Sequence, residues 1–155
     1  MYNCPLLLVE DEENDIFLFK RVLAKEQITN PLHVAEDGQQ AIDYLAGVGQ
    51  FADRAQFPLP GLVLLDLKLP VKTGLQVLEW IREQPGLETL LVIILTSSSE
   101  QSDVDSAYRL GANSFLVKPN GHNELRDLVK VLRAYWLTLN KAPLKCVEAT
   151  QPYVT

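Results

Sequence analysis

The stretch LVLLDLKLPVKTG, residues 62–74, decides the fold. Its opening residues, Leu62 to Leu65, are uniformly apolar instead of alternating, the pattern of a strand covered on both faces and hence of a parallel sheet. The run ends on a single carboxylate, Asp66, and the chain then turns through Leu69-Pro70 and Thr73-Gly74. A carboxylate where a buried strand meets a loop costs stability unless something uses it. Two other runs close on charge in the same way: Leu6 to Val9 meets Glu10-Asp11-Glu12-Glu13, and Ser114 to Val117 meets Lys118. Ending parallel strands of one sheet, these charges converge at its carboxyl edge.

Working outward, short apolar runs alternate with helical periodicity five times, which predicts β-α units and an α/β, doubly wound parallel sheet. The first strand, Leu6 to Val9, precedes a helix from about Glu13 to Glu26 with the stripe Ile16, Phe19, Val22 and Leu23. After Asn30-Pro31 comes the strand Leu32 to Ala35, then a helix opened by Asp37-Gly38 and carrying Ala41, Ile42, Leu45 and Ala46. Gly47 to Gly61, with Pro58 and Pro60, reads as a long surface connection whose conformation varies most. Thr73-Gly74 opens a third helix with Val77, Leu78 and Ile81 inward, stopped by Pro85-Gly86.

Leu90 to Leu95 is the fourth strand, and Ser97 to Glu100 supply N-cap candidates for a helix with Val104, Ala107 and Tyr108 inside, closed by Gly111. The fifth strand, Ser114 to Val117, leads to a helix from about His122 to Leu139, with Leu125, Leu128, Val129, Leu132, Tyr135 or Trp136, and Leu139 at helical spacing. Tyr135 and Trp136 are adjacent and cannot both face one core, so one of them marks a partner surface. The periodicity stops beyond Asn140. The domain is therefore placed at 1–140 and a tail at 141–155, with no output domain.

Composition narrows the function. At 155 residues with 47% hydrophobic and 22% charged residues, the chain suits one ordinary globular domain. A net charge of −6 argues against a general nucleic-acid or anionic-membrane surface and favours a metal cation or a basic partner. The apolar runs are strand-sized and the start MYNCP has no basic region before an apolar one, which predicts a cytoplasmic protein without a membrane partner. Cys4 and Cys146 lack metal-ligand spacing, and His33 and His122 have no coordinating companion; none is given a role.

Singly, each of these residues has a bland reading. Glu10 to Glu13 could be a solvated helix start, Asp66 a turn residue, Lys118 a surface charge and Thr96 a cap. Placed together at strand ends they favour a site. Clustered carboxylates raise each other's pKa unless a cation intervenes, and a hard divalent ion such as Mg2+ suits oxygen ligands. Lys118 and the Thr96 hydroxyl around one carboxylate make a place where a phosphoryl group can be neutralised as it transfers to that carboxylate.

The pieces LLLVEDE, LLDLKLPVKTG, IILTSSS and SFLVKP, in this order, resemble a receiver domain of two-component response regulators over about residues 5–140. The resemblance implies a flavodoxin-like (βα)5 fold with strand order 2-1-3-4-5. By position it implies Asp66 as phosphoacceptor, Asp11 as a direct Mg2+ ligand, Glu10 as a ligand through water, and the Lys68 backbone carbonyl in the same shell. Thr96 resembles the switch hydroxyl, Phe115 the aromatic that follows it, Lys118 the family lysine, and Lys118-Pro119 a peptide bond usually cis. From sequence pattern alone Phe115 reads more readily as a core residue than as a switch, and it is the resemblance that reverses this.

Within the family the long 47–61 connection and the missing output domain are most similar to the single-domain regulators paired with phytochromes. The implied partner is a sensor histidine kinase, of the phytochrome type, with a homodimer through the fourth and fifth helices and an unknown downstream protein. No enzyme is implied beyond self-phosphorylation on aspartate and slow autodephosphorylation. Three departures stand out: Glu10 where many members have aspartate, Lys68 two residues after the acceptor, and the polar Asn120-Gly121 after Pro119.

Alternatives within the switch reading are a phosphate sink or shuttle in a phosphorelay. A flavin carrier or phosphohydrolase is a separate class: Glu10 to Glu13 would repel a flavin's phosphate where a hydroxyl- and glycine-rich cradle is needed, and a hydrolase needs an added cap and general acid. A vestigial receiver-fold interaction module is a third, opposed by the intact set of Asp11, Asp66, Thr96 and Lys118.

Overall fold

All four residues of strand β1 (Leu6–Val9) are buried, because helices cover both faces of the sheet it belongs to. The structure, a computed structural model, describes residues 3–143. β1, β2 (Leu32–Ala35), β3 (Leu62–Leu65), β4 (Leu91–Thr96) and β5 (Ser114–Val117) pair in parallel in the order β2-β1-β3-β4-β5. This is the expected flavodoxin-like order. Side chains alternate between faces along each strand. Leu7, Val9, Val63, Leu65, Val92 and Ile94 join one core with α2 (Gly38–Ala46), α3 (Gly74–Glu83) and α4 (Gln101–Arg109). Leu6, Leu8, Leu62, Leu64, Ile93 and Leu95 join the other with α1 (Glu13–Lys25) and α5 (His122–Ala134).

The expected stripe of α1 is the buried one: Ile16, Phe19, Val22 and Leu23. In α3, Val77, Leu78 and Ile81 have no exposed surface, and Thr73 and Gln76 form a reciprocal capping box at its start. Asp37 caps α2 through the Gln40 N–H, and Gly47 ends that helix at φ 68°. Gly74 starts α3 so close to the end of β3 that a Cβ would collide with the Asp66 carbonyl oxygen, so this helix can be set beside Asp66 only with glycine.

Several side chains depart from the sequence reading. Ala46 is exposed, and Tyr44 takes the inward place in α2. Tyr108 of α4 is half exposed, leaving Ala107 as the buried residue of that helix. The final helix changes to a π-turn over Tyr135–Leu139, with the Asn140 N–H donating to the Tyr135 carbonyl at 2.7 Å. The extra residue in that turn rotates the face, so Leu137 is buried and Leu139 is exposed. Tyr135 points outward and Trp136 packs partly against the core.

The 47–61 connection is anchored. A 3-10 turn at Gly49–Phe51 buries Phe51 against Tyr44 and Phe57, and Arg54 donates to the Tyr44 and Leu45 carbonyls at 2.7 and 2.8 Å. The Lys118-Pro119 bond is trans, contrary to the family expectation, and no cis bond occurs among the described residues. Trans is the intrinsically preferred isomer even before proline. Of the proposed tail, residues 144–155 lie outside the described part.

Candidate functional site

Strand order reverses between β1 and β3, and at such a switch point the carboxyl ends of the strands leave a crevice. Two backbone bonds set its floor: the Glu10 N–H donates to the Ala35 carbonyl at 3.0 Å, and the Asp66 N–H to the Val9 carbonyl at 3.1 Å. Glu10 and Asp66 thereby follow directly on adjacent strands, and both are buried, at 2% and 6% exposure. Across the sheet, the Lys118 N–H donates to the Thr96 carbonyl at 2.7 Å. This places the lysine where its side chain can return over the strand ends.

Lys118 returns to three carboxylates. Its ammonium donates to Asp66 Oδ2 at 2.8 Å, to Asp15 Oδ2 at 3.1 Å and to Glu10 Oε2. Asp66 Oδ1 accepts from the Lys68 N–H at 3.2 Å, while the Lys68 side chain is exposed. Glu10 Oε1 accepts from the Glu12 N–H at 3.1 Å. Thr96 is fully buried, and its hydroxyl accepts from the Ser98 N–H at 3.4 Å. Ser98 in turn donates its hydroxyl to Asp103 Oδ2 at 2.6 Å, joining the end of β4 to the first turn of α4.

Phe115 lies on the same face of the sheet as Thr96, partly buried against the α2-α3-α4 core. Glu10, Asp66, Thr96 and Lys118 thus stand together at the carboxyl edge of the sheet, with Phe115 behind the threonine.

Burial pushes the Glu10 carboxyl up to about 7, against the lowering effect of its bond to Lys118. Burial also opposes charge on Lys118, but the hydrogen bonds to Asp66 and Glu10 outweigh it and hold the ammonium above its ordinary range. One ammonium is thus shared among more carboxylates than it can neutralise. Glu10, Asp11 and Asp66 each offer an oxygen, all within 4.8 Å of one another. Oxygens around a hard divalent ion at about 2.1 Å stand up to about 4.2 Å apart, so a small closure suffices to bind one. The donor set fits a divalent cation in charge, element and spacing.

Sequence reasoning missed Asp15 and the Ser98–Asp103 link. Asp15 stands four residues after Asp11 in the first turn of α1, a spacing that brings it over the same edge. The acidity of Glu12 and Glu13 around it hid that signal. No helix among the described residues is long and apolar enough to cross a membrane.

The family model of the response regulator receiver domain matches residues 6–130. Response regulator Rcp1 of Synechocystis sp. is 36% identical over 132 residues, 85% of this chain and 88% of Rcp1. The phosphorylated cyanobacterial phytochrome response regulator RcpA has a similar structure, with TM-score 0.84 and 32% identity over 90% of this chain and 98% of RcpA. The Mn2+-bound form of Rcp1 superposes with TM-score 0.81 and 34% identity over 90% and 99% of the two chains.

Proposed function

Because the chain belongs to the response regulator receiver domain family, we propose that it is a phosphoryl-controlled switch in which Asp66 takes a phosphoryl group from a histidine kinase. The observation that carries this reading is the bridge of Lys118 from Asp66 to Glu10 beside a carboxylate trio spaced for one cation. Asp66 Oδ attacks phosphorus, a P–O bond forms, and the P–N bond to the donor imidazole breaks with its electron pair returning to nitrogen. Lys118 neutralises the phosphoryl oxygens, and the Thr96 hydroxyl turns from Ser98 to donate to them.

Glu10, Asp11, Asp66 and the Lys68 carbonyl would hold Mg2+, which supplies charge neutralisation to the transferring group. Protein groups contribute mainly alignment, since this transfer asks for little covalent help. Thr96 and Phe115 then carry the change to α4 and β5. Exposed Tyr108, Val117, Val131 and Tyr135 support a homodimer or partner surface along α4, β5 and α5.

The similarity to RcpA, a phytochrome response regulator captured phosphorylated, and to Mn2+-bound Rcp1 supports a kinase of the phytochrome type and a divalent metal. A cytoplasmic location follows from such a partner. Phosphorylation and slow dephosphorylation of its own aspartate are its chemistry on this reading, with no other substrate.

Intact mass after incubation with acetyl phosphate tests the reading. One phosphoryl group is expected, only with magnesium and only while Asp66 is present. No gain, together with no binding of beryllofluoride and magnesium, would leave a vestigial interaction module.

A further inference from the structure

Lys118 spends its three N–H donors on three carboxylates, and they are not equivalent. Glu10 and Asp66 also belong to the trio spaced for a cation, whereas Asp15 does not. Metal and ammonium therefore compete for the same two carboxylates. Bringing a dication to Glu10 while Lys118 remains on it places like charges together over a buried anion. Asp15 is the one partner of Lys118 outside that competition, and at 44% side-chain exposure it can hold an ammonium at lower desolvation cost than Glu10 at 2%.

There is room for the shift. Asp15, Glu10 and Lys118 line a cavity of about 240 Å³ walled by Leu8, Phe19 and Leu125, between α1 and the start of α5. A flexible lysine stem can move its head along that wall without displacing the strand.

We propose that Asp15 is a positioning residue for Lys118, the anion that keeps the ammonium when a divalent cation takes Glu10, so that lysine and metal occupy the site together. The inference rests on the metal-assisted acceptor reading above. Without Asp15, Lys118 depends on Glu10 and Asp66 alone and resists the metal.

The test is magnesium affinity by titration calorimetry on the full chain for wild type, Asp15→Asn, Lys118→Met and the double variant. Asp15→Asn is expected to weaken magnesium binding about fivefold or more, and Lys118→Met to erase most of that difference. An equal loss in both backgrounds would reduce Asp15 to a through-space charge and overturn the proposal, as would no loss. A second measurement avoids dependence on the Lys118→Met fold. In magnesium-saturated protein the NMR resonance of the Lys118 Cε is expected to move on Asp15→Asn, and an unmoved resonance overturns the proposal. A wild type that binds no magnesium overturns both this inference and the metal site; magnesium binding untouched by Asp15→Asn overturns this inference alone.

Discussion

Arg82 and Lys118 are both partly buried cations, at opposite ends of the sheet, and they are satisfied in opposite ways. Arg82 donates to the Gly111 carbonyl through Nε and Nη2 at 3.0 and 2.7 Å, to the Leu90 carbonyl at 2.8 Å and to Asn113 Oδ1 at 3.1 Å. These partners are neutral carbonyl and amide oxygens, and burial pushes the guanidinium below its ordinary pKa. Its fork ties α3 to the turns before β4 and β5. Lys118 instead pairs with three carboxylates among the described residues, and they outnumber it. A cation tied to neutral carbonyls completes a structure, whereas an ammonium shared by several anions leaves a place for another positive charge.

If that contrast is right, substitutions at the carboxyl edge change chemistry and those at the amino edge change stability. The largest effect is on Asp66→Ala, expected to lose all magnesium-dependent phosphoryl incorporation while its circular dichroism stays native; retained labelling would break the contrast at its centre. Next comes Arg82→Ala, expected to cost about 3 kcal/mol by urea unfolding because several carbonyls lose their donor at once. Its folded fraction should still accept one phosphoryl group, and a cost under about 1 kcal/mol would mean that water replaces the fork.

A pH series sharpens the electrostatic side. Glu10 titrates near 7 in the folded protein, so on the proposed reading protons would compete there with magnesium. Affinity is expected to fall by up to about tenfold per pH unit below 7 and to level off above it. The sign for stability runs the other way. A carboxyl raised by the fold favours its protonated form, so the metal-free protein is most helped below the unfolded carboxyl pKa and loses that help as pH rises through about 7. Magnesium affinity independent of pH between 6 and 8 would remove Glu10 from the metal site.

The smallest effect concerns Val71, in the loop after Asp66. It is a β-branched residue at φ 69° and is 76% exposed. Val71→Gly is expected to stabilise by about 1 kcal/mol through relief of backbone strain, read as a higher urea midpoint. Destabilisation would show that the valine side chain contributes packing that outweighs the strain.

The five strands and the inward faces of α1 and α3 were legible because they rest on local pattern: Leu62 to Leu65 and Ile16-Phe19-Val22-Leu23 need no partner to be read. Glu10, Asp66, Thr96 and Lys118 were legible as a site because each directly follows or ends a strand, and parallel strands bring such positions to one edge. Residues whose role depends on a distant contact were not. The inward turn of Leu137 follows from one extra residue in a π-turn, which apolar spacing cannot register. Tyr108 keeps helical spacing yet stands half exposed, because α4 turns Ala107, one position before it, into the core. Phe51, Arg54 and Phe57 sit in a segment with the composition of a loose loop, and only the Tyr44 ring and the carbonyls of α2 show what holds it. Asp15 was one acid among several until Lys118 reached it.

Borohydride reduction of the protein after exposure to acetyl phosphate and magnesium, followed by peptide sequencing, tests the central claim most directly. An aspartyl phosphate is reduced to homoserine, and this account predicts homoserine at position 66 and at no other aspartate. Homoserine elsewhere, or an unchanged aspartate at 66 in protein that has gained a phosphoryl group, would contradict it.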